Sequence, residues 1–212
     1  MNTPASLPSF QSRVVPVVVV TDPAQAVPMA EALLAGGVDV IEITLRSAAG
    51  LAAIEAVAKA VPAMQVGAGT VTRASEVAQV MAAGARFALS PGSTPALIDA
   101  VLAAGLPFIP GVGSPSEAMA MRDAGFTLMK CFPAAQLGGV EVLKAWGGPL
   151  PDLRFCPTGG VSLDNMAQFL ALPNVAMVGG SWLTPAAAAQ AGDWARITRL
   201  AREATRAAQA VA

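Results

Sequence analysis

The sequence predicts a single α/β domain folded as a (β/α)8 TIM barrel. Short apolar runs rich in β-formers alternate with alanine-rich helical patterns eight times, and no linker separates them. The length of 212 residues fits one such barrel. Glycine signals also recur at about 20-residue spacing, the size of one strand–helix unit. An open doubly wound sheet is the alternative, because periodicity alone does not show closure.

The predicted elements follow one another with short connections. We expect strands at 14–20, 38–45, 64–70, 86–90, 107–111, 126–132, 153–157 and 174–179. We expect helices at 24–35, 50–60, 74–83, 94–103, 115–123, 139–146, 162–170 and 186–209. Residues 1–13 form a short N-terminal segment in this interpretation, and residues 14–212 form the barrel domain.

Small residues and prolines mark the predicted helix ends. Glycines that tolerate the left-handed conformation of a helix terminus stand at Gly36–Gly37, Gly84, Gly105 and Gly125. Capping side chains or first-turn prolines stand at Asp22–Pro23, Ser75, Thr94–Pro95, Ser114–Pro115 and Ser162.

Composition restricts the chemistry. The chain has no histidine and two cysteines, which excludes Ser-His and Cys-His nucleophile pairs, histidine-ligated metals and an all-thiolate metal site. We expect no metal and no cofactor. The first predicted strand is followed by Thr21-Asp22-Pro23 rather than a glycine-rich dinucleotide fingerprint, so a Rossmann enzyme is also excluded.

Charge and hydropathy indicate the partners. The formal net charge is −1 and no basic run occurs, so we expect neither a nucleic-acid nor a membrane partner. The N-terminus lacks the pattern of a secretory signal, and Cys131 and Cys156 are expected to be reduced thiols of a cytoplasmic protein. Hydrophobic residues make up 54% of the chain and charged residues 13%, which favours an oligomer that buries some surface.

Lys130 lies near the end of an otherwise apolar strand that breaks at Pro133. A buried ammonium is costly to desolvate, so a lysine in this position is either paired or functional. A neutral lysine amine can attack a carbonyl and hold a substrate as a Schiff base. A lysine that extends past the strand end into solvent is the alternative.

Strand alternation predicts which side chains meet Lys130. On the second strand Glu42 and Arg46 share one face and the aliphatic residues share the other, so both charges are expected to point into the barrel. The same argument groups Lys130 with Phe132, Thr70 with Ala68, and Thr158 with Cys156. Since active sites of these barrels lie at the carboxyl ends of the strands, five residues are expected at one mouth: Glu42, Arg46, Thr70, Lys130 and Thr158.

A carboxylate, an amine and a guanidinium in this arrangement suit imine chemistry on a 2-oxo acid. Arg46 can hold the substrate carboxylate with two hydrogen bonds. Its charge and the apolar Leu128 and Phe132 favour the neutral amine of Lys130, while Glu42 can transfer protons. A purely structural ion pair between Glu42 and Lys130, with Arg46 solvated at the rim, is the alternative.

Two glycine-rich turns indicate a phosphate site. Gly159-Gly160 follows the seventh predicted strand, and Gly179-Gly180-Ser181 follows the eighth. Free backbone N–H groups in the loops after these two strands commonly bind phosphate in barrels of this kind.

Six segments resemble, in order, the 2-keto-3-deoxy-6-phosphogluconate (KDPG) aldolase family, which includes 4-hydroxy-2-oxoglutarate (KHG) aldolase. They are Ile41–Arg46, Val66–Val71, Ser90–Gly92, Lys130–Ala134, Arg154–Gly160 and Gly179–Leu183. The resemblance implies a class I aldolase (a carbon–carbon lyase) of the Entner–Doudoroff pathway that cleaves KDPG to pyruvate and glyceraldehyde 3-phosphate. Other substrates remain open, namely KHG or the galactonate epimer of KDPG, as does a non-catalytic barrel that binds phosphorylated metabolites.

The resemblance also implies roles for the site residues. Lys130 forms the Schiff base, and Glu42 is the general acid and base. The substrate-binding residues are Arg46, Thr70, Pro91, Phe132 and Thr158, of which Thr158 is linked to stereochemical control. The phosphate-binding residues are Gly159, Gly160, Gly180 and Ser181. The family further implies a metal-free cytoplasmic homotrimer that takes a 2-oxo acid phosphate.

The sequence departs from the family pattern near Lys130. Cys131 and Ala135 stand where the family commonly has phenylalanine and glutamate. Cys131 is expected to face the helices, whereas the missing acid at Ala135 leaves the aldehyde preference open. Val112-Gly113-Ser114 is a milder change near the rim. The N-terminal segment is rich in proline and serine, so the helix that often closes the barrel bottom is expected to be reduced to a turn.

Overall fold

The molecule is built from parallel strands that are connected by helices. A computed structural model describes residues 3–211. The strands are β1 (Val14–Val18), β2 (Val40–Thr44), β3 (Gln65–Gly69), β4 (Phe87–Leu89), β5 (Phe108–Ile109), β6 (Gly111–Val112), β7 (Leu128–Cys131), β8 (Arg154–Pro157) and β9 (Val178–Gly180).

The helices connect these strands as crossovers, which parallel strands require. They are α1 (Ala26–Ala35), α2 (Gly50–Ala60), α3 (Ala74–Ala82), α4 (Pro95–Ala104), α5 (Pro115–Asp123), α6 (Gly139–Gly147), α7 (Met166–Leu170), α8 (Ala186–Gln190) and α9 (Trp194–Gln209), and a 3-10 turn at Pro23–Gln25 precedes α1. None of the helices within residues 3–211 is long and apolar enough to cross a membrane.

The strands form two parallel sheets. One has six strands in the order β5-β4-β3-β2-β1-β9, and the other has three in the order β6-β7-β8. Pro110 alone separates β5 from β6, and its carbonyl oxygen accepts the Lys130 N–H at 2.8 Å. The three-stranded sheet meets the six-stranded sheet near β8 and β9, through the parallel bridges Phe155–Val175 and Thr158–Gly179. The architecture is therefore a single-domain α/β fold with parallel sheets.

The predicted elements agree with this structure except at the fifth predicted strand, which Pro110 divides into β5 and β6 in different sheets, and near the chain's end. The eighth predicted strand lies at 178–180 instead of 174–179, and the helix expected at 162–170 begins at Met166. The long helix expected at 186–209 is two helices. The break occurs because Gly192 has φ +66°, and Asp193 then accepts the Arg196 N–H at 3.0 Å to begin α9.

Three of the five predicted helix starts are confirmed. Asp22, Thr94 and Ser114 each accept a backbone N–H of the following turn. The predictions that helices begin at Ser75 and at Ser162 were wrong. Ser75 lies inside α3, which begins where Glu76 accepts the backbone N–H groups of Thr72 and Arg73. Ser162 instead donates its N–H to Asn165 in the turn before α7.

Register shows which face of each inner strand points away from the helices. Glu42 pairs with Gly67, and Ile43 pairs with Ala68, which lies with Ile43 in the hydrophobic core. The predicted grouping of Ala68 and Thr70 on the inward face is therefore wrong. Glycines occupy the inward positions of β3, and they leave room for larger side chains from the neighbouring strands.

The N-terminal segment covers the amino ends of the strands without a helix in residues 3–13. The Phe10 ring packs 5.0 Å from the Phe87 ring, centroid to centroid. The Phe87 ring fills the space over Gly67, where a Cβ would lie 2.6 Å from ring carbons. Asp39 fixes the segment by accepting the N–H groups of Gln11 and Ser12 at 2.9 Å each. An aromatic pair thus fills this end of the interior.

Candidate active site

Lys130 and Glu42 form a buried ion pair between the two sheets. Nζ of Lys130 lies 2.8 Å from Oε1 and 3.1 Å from Oε2 of Glu42. Lys130 belongs to β7 and is 4% exposed, whereas Glu42 belongs to β2 and is 1% exposed. The alternative of a solvated lysine is therefore wrong. Removing two charges from water costs several kcal/mol per ion, which makes such a pair weak as a device for stability alone.

Neighbouring strands hold Lys130 from both sides. Its register partners are Gly111 on β6 and Cys156 on β8. Buried Ser90 accepts the Gly111 N–H at 3.0 Å, and Ser93 donates to the Gly111 carbonyl at 3.0 Å. These two serines were not predicted as part of the site. The Ser90–Pro91–Gly92 resemblance pointed to their segment, but no residue type marked the serines themselves.

Phe132 lies close to this lysine, and Pro91 packs against its register partner Gly111. The backbone of Pro91 and Gly92 packs onto Gly111, where a Cβ would come within 2.5 Å of the Gly92 nitrogen. The Phe132 ring centroid is 5.7 Å from Nζ of Lys130, within the range of a cation–π contact. Its peptide bond to Pro133 is cis.

Arg46 lies two residues beyond the end of β2 and is exposed. Its Nε is 3.4 Å from Oγ1 of Thr44, a buried hydroxyl that itself donates to the Val18 carbonyl at 3.0 Å. Arg46 also lines a cavity of about 310 Å³ together with Ser181. A guanidinium and the second glycine loop thus open onto the same space.

Thr70 directly follows β3 and has φ +60°. The left-handed region is unusual for a β-branched residue and costs about 1–3 kcal/mol, and such strain clusters at active sites. The direction of its side chain is set by this backbone conformation. Strand alternation, on which the prediction for Thr70 was based, does not extend to it.

The two glycine loops are neighbours. Thr158, which is buried, pairs with Gly179 in a parallel bridge, and its side chain occupies the place of a Cβ on Gly179. Gly159 and Gly160 follow with φ +96° and +76°, a conformation that favours glycine. Gly180 accommodates the Trp182 ring in the same way, and Ser181 is exposed beside it.

Ala135 lies against the first of these loops. The Ala134 N–H donates to the Thr158 carbonyl at 2.8 Å, and the Ala135 N–H donates to the Gly159 carbonyl at 3.0 Å. The Ala135 methyl group also occupies the space in which Gly160 would carry a Cβ. Ala135, where the sequence departs from the family pattern, therefore contacts this glycine loop directly.

The two thiols differ in position but not in protonation. Burial raises the pKa of Cys156 to about 12; the nearby Lys130 charge lowers it and the Glu42 charge raises it further. Burial also raises the pKa of Cys131 to about 12, and Cys131 packs in the hydrophobic core as expected. Both thiols are free. They stay protonated at neutral pH, so neither competes with Lys130 as a nucleophile.

The chain is similar to known aldolases over most of its length. A family model described as KDPG and KHG aldolase matches residues 9–200. The 2-dehydro-3-deoxy-phosphogluconate aldolase of Pseudoalteromonas atlantica is 54% identical over 194 residues, which cover 92% of this chain and 90% of that protein. The KHG/KDPG aldolase of Escherichia coli strain K12 is 52% identical over 196 residues, which cover 92% of each.

A solved structure agrees with these sequence relatives. It is the crystal structure of KDPG aldolase from Legionella pneumophila with pyruvate captured at low pH as a covalent carbinolamine intermediate. It matches with a TM-score of 0.90 and 45% identity, covering 92% of this chain and 94% of that one. Family model, relatives and fold agree over nearly the whole length, and the chain belongs to the KDPG and KHG aldolase family.

Proposed function

We propose that this protein is a class I aldolase that cleaves KDPG into pyruvate and glyceraldehyde 3-phosphate through a Schiff base on Lys130. The observation that carries the proposal is the buried contact between the Lys130 amine and both oxygens of Glu42. The 2-dehydro-3-deoxy-phosphogluconate aldolases at 54% and 52% identity support the same reaction. A non-catalytic barrel would have no use for a desolvated amine beside a carboxylate.

The chemistry begins with a proton transfer inside this pair. When the ammonium of Lys130 gives a proton to Glu42, the neutral amine attacks C2 of the 2-oxo acid and forms a carbinolamine. The Legionella protein holds pyruvate in this form. Glu42 then gives this proton to the carbinolamine hydroxyl, which leaves as water, so that Glu42 is again a carboxylate. The product is a protonated imine, which withdraws electrons from the C3–C4 bond. The Phe132 ring beside Nζ supports a cationic nitrogen at this point.

Glu42 returns to the reaction as the base. Its carboxylate removes the proton of the C4 hydroxyl, directly or through a water molecule, and the C3–C4 bond breaks to an aldehyde and an enamine. A proton returned to C3 makes the pyruvate methyl group. Hydrolysis of the imine then frees Lys130 and releases pyruvate.

The remaining residues bind the two ends of the substrate. Arg46 and Thr70 hold the carboxylate of the 2-oxo acid, while Pro91 and Phe132 line the pocket beside Lys130. Thr158 contacts the carbon that becomes the aldehyde and controls its stereochemistry. The phosphate lies on the backbone of the two adjacent glycine loops, held by Gly159, Gly160, Gly180 and Ser181. The reaction needs no metal and no cofactor.

The architecture around this site is a closed (β/α)8 barrel formed by residues 14–212, preceded by the segment 1–13. The support for closure is the continuity of β5 and β6 around Pro110 at one seam and the bridges at Phe155 and Thr158 at the other. A homotrimer in the cytoplasm remains our prediction from the family resemblance.

KHG is the second candidate substrate. The support for it is the 52% identity to the KHG/KDPG aldolase of Escherichia coli. The decisive experiment measures pyruvate release from KDPG and from KHG under the same conditions. We expect a higher kcat/KM for KDPG, because a working phosphate site must favour the phosphorylated substrate. Equal values would exclude the proposed phosphate site, and no release from either would exclude the aldolase.

The glycine loop can be tested separately with Gly160→Ala. The new methyl group would meet Ala135 and require an unfavourable φ of +76°, so the loop must shift. Loss of one charge-assisted hydrogen bond costs about 1.5–3 kcal/mol. We therefore expect kcat/KM for KDPG to fall about tenfold or more by steady-state kinetics, with little change for KHG.

Gly105→Ala is the matched control for this variant. Gly105 ends α4 with φ +65° and has open space around it, so alanine there brings the same backbone strain without touching the loop. Its kinetics with both substrates should equal those of the unchanged protein. A similar loss with KDPG and KHG in Gly160→Ala would contradict a phosphate role.

A further inference from the structure

The Glu42 carboxylate occupies the space that a side chain would need on Gly69. A Cβ built on Gly69 would lie 2.5 Å from Cγ and 2.7 Å from Cδ of Glu42, and closer still to Oε1. A Cβ atom essentially never lies within 3.0 Å of a non-bonded heavy atom. A residue with a side chain at position 69 therefore excludes the observed position of Glu42.

This contact concerns the oxygen that binds the lysine most closely. Oε1 is the nearer of the two Glu42 oxygens to Nζ of Lys130, at 2.8 Å. Gly69 is the last residue of β3 and pairs with Thr44, and its carbonyl oxygen accepts the Leu45 N–H at 2.9 Å. The backbone on both sides of the carboxylate is thus fixed by the β2–β3 ladder, and it cannot shift without breaking the pairing.

We propose that Gly69 is a positioning residue for the reaction. Because Gly69 has no side chain, the Glu42 carboxylate can occupy the space beside its Cα, and from there it contacts Lys130. The inference rests on the proposed function. Gly69 does not contact the reacting atoms itself. It acts through Glu42, because the carboxylate lies against its Cα and can take up its contact with Nζ only there. A displacement of about 1 Å in such a group costs about 10²-fold in rate.

The test separates proton transfer from imine formation in Gly69→Ala. Proton transfer is followed as exchange of the pyruvate methyl hydrogens with D2O by NMR, and imine formation is followed as borohydride trapping of pyruvate on Lys130. We expect exchange and kcat for KDPG to fall by about 10²-fold, while the final extent of trapping at saturating pyruvate, reached on long incubation, stays within a few-fold of the unchanged protein. Exchange within about threefold of the unchanged protein would overturn the inference.

Gly36→Ala is the control for a clash of similar severity far from the site. A Cβ on Gly36 would overlap the Ala201 methyl group and lie 2.9 Å from the Thr198 carbonyl oxygen, between α1 and α9. This variant should lose stability but keep both exchange and trapping per folded molecule. If Gly69→Ala loses both activities in proportion to its folded fraction, its role is structural only and the proposal fails.

A stability cycle keeps the test decisive if Gly69→Ala folds poorly. All three atoms nearest to the new methyl group belong to Glu42, so its cost should largely disappear in a Glu42→Ala background. Denaturant unfolding of the four variants measures this coupling. An equal cost in both backgrounds would overturn the proposal. If the unchanged protein neither traps nor exchanges pyruvate, the proposed function fails independently of Gly69.

Discussion

Lys130→Met is expected to reduce the cleavage of KDPG by several powers of ten, because no other amine shares the buried pair with Glu42. The covalent route through the imine is lost entirely, and the electron sink that weakens the C3–C4 bond is lost with it. Pyruvate and borohydride should label Lys130 in the unchanged protein and leave the variant unlabelled by mass spectrometry. A variant that still cleaves KDPG at a normal rate would exclude the Schiff-base mechanism.

The same substitution should change stability. Glu42 is 1% exposed, and without Lys130 its carboxylate is buried without a cation. Breaking such a pair from one side costs about 3–5 kcal/mol. Lys130→Arg is the control, since it keeps a positive charge but forms no stable imine with a 2-oxo acid. We expect it to be inactive and more stable than Lys130→Met in denaturant unfolding.

Glu42→Gln is expected to reduce kcat by about 10²–10⁴-fold, the usual contribution of a general acid or base. The amide has nearly the shape of the carboxylate and can still accept a hydrogen bond from Lys130, but it cannot take up a proton. Borohydride trapping of pyruvate should still reach completion on long incubation, because water can take the Lys130 proton in place of Glu42, while methyl exchange with D2O nearly stops. This separation distinguishes Glu42 from Lys130, whose loss removes both.

An exposed glutamate provides the control for this change of charge. Glu141 lies in the first turn of α6 on the surface, and Glu141→Gln makes the same chemical substitution far from the buried pair. Its turnover should equal that of the unchanged protein. Near-normal turnover in Glu42→Gln as well would remove Glu42 from the acid–base role.

The sequence was sufficient to predict the site residues whose orientation follows from the alternation of side chains along a strand. Glu42 and Lys130 lie at mid-strand positions, where alternate residues face opposite sides, and the absence of histidine left few competing groups. The buried contact between them follows directly. The helix starts at Thr94 and Ser114 were equally predictable, because a capping side chain and a proline act within one turn.

The features that sequence reasoning missed depend on contacts distant in the chain. Thr70 follows the end of its strand in a left-handed conformation, so alternation could not orient it. Gly69 looked like an ordinary small residue, and only the register of β2 against β3 shows that Glu42 fills its empty space. Ser90 was missed for the same reason, because its hydrogen-bond partner Gly111 lies on another strand.

The Phe10–Phe87 packing has a consequence for the way in which products leave. These rings fill the interior at the amino ends of the strands, so we expect substrate and products to pass by the opposite end, where the glycine loops lie. After the C3–C4 bond breaks, the pyruvate half is still attached to Lys130 and cannot diffuse away. The phosphorylated aldehyde must depart first through the shared opening, and water must then follow the same route inward. The covalent bond to Lys130 thus sets the order of release, and the filled amino end makes the departing aldehyde and the incoming water use one opening in turn.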